Sequence, residues 1–113
     1  MINIEQLIAA LRDLSNADFQ RRAWLASEGP VVSSFSEDVC QVFDDTGLSL
    51  ALDAGRCPPE LEEQAFTTLQ ELDAAVRRVE QAAPPERLLQ DPRVKEVREI
   101  AARALALVAE RQT

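Results

Sequence analysis

Apolar residues recur along this chain at spacings of three and four, the period of an amphipathic helix. Ile4, Leu7, Ile8, Leu11 and Leu14 fall on one stripe. Asn3 precedes the stripe as an N-cap, Gln6 follows three residues on, and Ile2 can staple to Leu7. The pattern predicts a first helix over Ile4–Leu14, with Ser15 or Asn16 ending it and capping the next. A second helix is expected over about Ala17–Ser27, with Phe19, Ala23 and Ala26 on one side and Trp24 and Leu25 beside them. Gly29-Pro30 stops it, because Gly supplies a left-handed cap and Pro cannot continue the helix.

Ser33–Gly55 is distinctive: it mixes apolar anchors with carboxylates and holds no base. Ser34 and Glu37 fit a capping box, and Phe35, Val39, Val42 and Phe43 form a helix face. Thr46-Gly47 ends that helix. Leu48, Leu50 and Leu52 alternate as in a strand, but Leu48, Ala51 and Leu52 also suit a helical turn. A lone strand would lack a partner, so a short helix ended by Gly55 is preferred. Cys57-Pro58-Pro59 is a stiff connector.

Leu61, Ala65, Leu69, Leu72, Val76, Val79 and Ala83 then form the longest stripe. A helix over Glu60–Ala83 would be roughly 36 Å long. It is expected to be the central helix of the bundle. The alternative is a coiled-coil seam for a homodimer over residues 60–83. Pro84-Pro85 breaks the pattern, and Glu86–Gln90 suits one turn. Asp91-Pro92 is a cap followed by a first-turn proline. The last helix is expected over Pro92 to about Glu110, burying Val94, Val97, Ala101, Ala104, Leu105 and Val108, with a Glu99–Arg103 pair on its surface. The fold class is therefore all-α: residues 1–113 as a single-domain bundle of four to five helices, its short connections punctuated by Pro and Gly.

Composition narrows the class of function. The chain has 113 residues and a net charge of −8. That balance disfavours nucleic acid and anionic membranes and points to a basic protein partner. The charge is uneven: residues 23–76 carry eleven acids and one base, Arg56, for −10, against zero before them and +2 after. Eleven Arg against one Lys, with abundant Ala, hints at a GC-rich bacterial source. Without a secretory pattern or an apolar run long enough for a bilayer, the expected address is the cytoplasm, where Cys40 and Cys57 stay reduced.

Chemistry finds few footholds. There is no His, so Ser-His and Cys-His nucleophiles are excluded. Neither Cys has metal-ligand spacing. Asp44-Asp45-Thr46-Gly47 lacks the alternating ligands and distal Glu of a calcium loop. The three glycines are isolated, so no phosphate cradle forms. No enzyme, catalytic residue, metal or cofactor is expected. The expected role is partner binding by Glu37, Asp38, Asp44, Asp45 and Asp53, with Leu48 or Leu50 as an apolar anchor. This fits an immunity or inhibitor-type protein covering a basic toxin or nuclease. Two competitors are a helical adaptor or chaperone that dimerises through 60–83, and a subunit whose chemistry needs a second chain. For the acidic face, the opposing expectation is that Arg21, Arg22, Arg77 and Arg78 fold over the acids as surface pairs.

Overall fold

The computed structural model describes residues 2–26 and 32–111. Seven helices order these residues: α1 (Ile4–Leu14), α2 (Ala17–Trp24), α3 (Phe35–Phe43), α4 (Leu48–Ala54), α5 (Glu63–Arg77), α6 (Pro85–Gln90) and α7 (Pro92–Arg111). The all-α class holds, with more and shorter helices than the four to five expected. Among the described residues Leu48–Ala54 is helix and no strand is present.

Local capping chemistry sets most of the starts. Asn3 Oδ1 accepts from the Gln6 N–H, Asn16 Oδ1 from Phe19, and Ser34 Oγ from Glu37. Asp91 Oδ1 accepts from the Arg93 N–H at 2.8 Å at the start of α7. Each bond satisfies a donor that has no partner within its helix. Two left-handed glycines, Gly47 (φ 86°) and Gly55 (φ 67°), bracket α4. An added Cβ at Gly55 would meet nothing within 4 Å, so the cost there is purely conformational. Gly55→Ala should lower the unfolding free energy by about 1 kcal/mol and Gly55→Asn by less, read from urea denaturation.

Two expected boundaries move. α2 ends at Trp24; Ser27 and the Gly29-Pro30 stop lie outside the described residues. α5 spans Glu63–Arg77, only about 22 Å, not Glu60–Ala83. At its start the chain turns, Leu61 N–H donating to Pro58 C=O, and Glu62 is extended. At its end the last N–H groups reach back three residues, Arg78 to Ala75 and Val79 to Val76. Arg93 of α7 then donates to the Arg78 carbonyl. Leu61 and Val79 are still buried, so the stripe outlasts the helix because turns deliver its ends to the core.

α7 packs along both α5 and α1, α1 also packs on α3, and α6 bridges α2 and α7. The centre of the bundle is thus α7 rather than the 60–83 segment. Leu7, Leu11 and Leu14 of α1 and Leu69, Leu72 and Val76 of α5 meet Val94, Val97, Ala101, Ala104 and Val108 of α7 in one core. The small Ala101 and Ala104, both fully buried, let neighbouring helices approach closely. Trp24 meets Phe35 edge-on, with ring centroids 5.8 Å apart. This geometry favours the ring quadrupoles. Arg103 pairs with Glu71 of α5 at 3.5 Å rather than with Glu99. Among the described residues no helix is long and apolar enough to cross a membrane.

Candidate functional site

The acidic stretch is carried by α3, the 44–47 turn and α4. Thr46 fixes the turn. Its hydroxyl donates to the Val42 carbonyl and accepts from the Leu48 N–H, and its own carbonyl accepts from the Asn3 N–H. The turn is thereby tied to the start of α1. Asp44 Oδ1 accepts from Ser49 Oγ at 3.0 Å, linking the end of α3 to α4.

Two of the expected surface residues face inward. Asp38 is 1% exposed, because Phe35, Asp38 and Val42 lie on the same side of α3 and that side meets the core. Its Oδ2 accepts from Trp24 Nε1 at 2.8 Å. Its Oδ1 is buried without a hydrogen-bond partner, as is Ser33 Oγ. Burial pushes the Asp38 carboxyl up to about 6. Trp24 and the nearby Ser33 hydroxyl hold it lower than burial alone would, while Asp13 and Glu37 push it further up. Leu48 is 0% exposed. As the first residue of α4 after Gly47, it plugs the core beneath the turn. Neither residue belongs to a binding face.

The other five, Glu37, Asp44, Asp45, Leu50 and Asp53, are exposed. Glu37 and Asp45 line one shallow depression with Cys40. The Cys40 thiol is raised first by burial, then by a hydrogen bond to Asp44 and the charges of Asp44, Asp45 and Glu37. Three carboxylates therefore converge on one thiol and make it a poor nucleophile at neutral pH. Leu50, 75% exposed, lines a neighbouring apolar depression of about 490 Å³ with Ile2, Ala51 and Pro58. Asp53 follows Leu50 by three residues on α4, on the same side of the helix.

None of these acids is matched by a base among the described residues. Arg21 pairs with Asp18, Arg77 with Asp73 and Arg78 with Glu96. Arg22 Nε donates to the Asp18 backbone carbonyl. The arginines expected to cover the acidic stretch are engaged elsewhere. Glu60 is a residue the sequence pattern did not single out. It lines the apolar depression beside Arg56, and its Oε1 is buried without a hydrogen-bond partner. Its only advance signal was its place after Pro58-Pro59, where a rigid connector can hold a side chain against the surface.

The stripe proposed as a homodimer seam, Leu61, Ala65, Leu69, Leu72, Val76 and Val79, is buried in this chain's own core. Among the described residues no group of three His, Cys, Asp or Glu side chains is placed to hold a metal ion. No family model, curated protein or solved structure matches the chain.

Proposed function

We propose that this chain is a small acidic protein-binding domain of the immunity or inhibitor type, bacterial in origin, that covers a basic partner such as a toxin or nuclease. The observation that carries the reading is an acidic surface left without internal counter-charges. Glu37, Asp44 and Asp45 crowd around Cys40, and Asp53 continues onto α4. None of them meets an arginine or lysine within ion-pair distance among the described residues. Leu50 stands out of the adjacent apolar depression, and Glu60 keeps an unpartnered carboxylate oxygen there. A partner's Arg or Lys would find charge at the rim, while an apolar side chain would pack on Leu50. Inhibition would come from occlusion. The unpaired acids would also speed encounter, and that gain would fade with salt.

The test is to survey the neighbouring genes for one that encodes a basic toxin or nuclease and to measure binding to its product by calorimetry at low and high salt; no such gene, or no complex, would remove this reading. A one-to-one complex that weakens with salt is expected. Asp44→Lys with Asp45→Lys should weaken it at least about tenfold, with the helical circular dichroism unchanged. Unaltered affinity in the double variant would remove the acidic face from the interface.

A further inference from the structure

A second feature lies away from the acidic stretch, where α2, α6 and α7 meet. A cavity of about 330 Å³ opens there. Arg21 of α2 and Arg98 of α7 both line it, Ala17, Leu25 and Leu89 supply apolar walls, and Glu86 stands beside them. Arg98 is half-buried. Its Nη1 donates to Gln20 Oε1 at 3.2 Å. Gln20 is itself fully buried and pinned, its amide donating to the Asp13 and Leu14 carbonyls at 3.1 and 2.7 Å. Arg98 is therefore held from behind by a fixed, neutral acceptor.

A guanidinium offers five N–H donors, and the Gln20 contact engages one of them. Among the described residues no carboxylate comes within ion-pair distance of Arg98. Burial lowers its pKa, the charge of Arg21 lowers it further, and Glu99 works in the opposite direction. Two like charges thus approach each other in a partly desolvated hollow. Asp18 already offsets Arg21, so the group still wanting a partner is the partly desolvated Arg98 guanidinium.

We propose that this hollow binds a small carboxylate with a short apolar body, the carboxylate set between Arg98 and Arg21 and the body against Leu25 and Leu89. The planar fork of a guanidinium matches a carboxylate through paired hydrogen bonds. A monoanion fits better than a phosphate dianion. Arg21 is already shared with Asp18 at 3.1 Å and Glu86 also lines the hollow, so of the two lining arginines Arg98 alone lacks a carboxylate partner among the described residues, and a single negative charge matches it. Leu25 is one of the few large apolar side chains exposed on the described surface, and a ligand's apolar body would cover it. The volume lies near the lower end for ligand pockets, which limits the ligand to a small molecule.

The test is an NMR titration of the intact chain with hexanoate, with hexanol and inorganic phosphate as comparison probes. Hexanoate should produce saturable shifts in the Leu25 and Leu89 methyl groups and in the Arg98 Nε–H, at millimolar concentration or below. Hexanol and phosphate should each bind at least about tenfold more weakly. Arg98→Gln should weaken hexanoate by about tenfold or more. Because Arg98 also braces Gln20, Arg21→Gln provides a second arm on an exposed side chain, with a loss of several-fold. Shifts that never saturate, hexanol or phosphate matching hexanoate, or unchanged binding in Arg21→Gln would each overturn the proposal.

Discussion

Asp38→Asn should make the protein more stable at pH 7.5, by about 2 kcal/mol, and leave its stability at pH 4 nearly unchanged. The reason is the sign of the Asp38 shift. Its carboxyl is raised from 3.8 to about 6 in the folded chain, so the folded state holds that proton more tightly than the unfolded state does. Stability from this group is complete below the unfolded value of 3.8. It declines as pH rises through the window from 3.8 to 6, and is gone above it. For a side chain 1% exposed, the whole swing is of order 3 kcal/mol. Asn removes the ionisation but keeps an oxygen for the Trp24 Nε1–H, and its amide hydrogens can face the unpartnered Ser33 hydroxyl. Asp38→Leu should behave differently, because it leaves the buried indole N–H without an acceptor. The chain has a single Trp, so its fluorescence during urea unfolding at several pH values reads the site directly. If Asp38→Asn is the less stable protein at pH 7.5, the charged hydrogen bond outweighs desolvation and this account fails.

Leu48 and Leu50 stand two residues apart and should respond in opposite ways to truncation. Leu48→Ala should lower the unfolding free energy by about 2–5 kcal/mol, since Leu48 is fully buried and the cavity left behind can only partly collapse. Leu50→Ala should change it by less than about 0.5 kcal/mol, because Leu50 is 75% exposed. Affinity for the basic partner should show the reverse order once only folded protein is compared. Leu50→Ala should weaken binding several-fold if Leu50 is the apolar anchor, whereas Leu48→Ala should leave it within error. Urea titrations and calorimetry on the two variants give both readings. Equal stability losses would show that the αL Gly47 turn does not aim Leu48 inward.

What could be seen in advance was what chain-local chemistry determines. Asn3, Ser34 and Asp91 announce their helices because a cap and its N–H partner lie within three residues of one another. The stripes of α1 and α7 stand out for the same reason. Asp38 was misplaced because its partner, Trp24, comes from another helix. Even so, the 35-38-42 spacing already set it on the same side as Phe35 and Val42. The length of α5 was overestimated because periodicity counts buried positions and not the conformation that delivers them. Leu61 and Val79 reach the core through turns, and one end is held by Arg93 from α7. The Gln20–Arg98 contact spans 78 residues in sequence. No local pattern could register it, or the cavity it braces.

The central place of α7 bears on how the chain is made. α1 and α5 both bury their stripes against α7, and α7 begins only at Pro92. While the ribosome is still producing the residues before it, Leu7, Leu11, Leu69 and Leu72 lack the surface that covers them in the finished protein. Early helices can form transiently, but short helices without tertiary partners are marginal in water. Closure of the core then depends on contacts between distant parts of the chain, which are slow to form and leave apolar surface open meanwhile. Closure of this core therefore waits for α7, and the nascent chain stays most exposed to holding chaperones and proteases until that helix emerges.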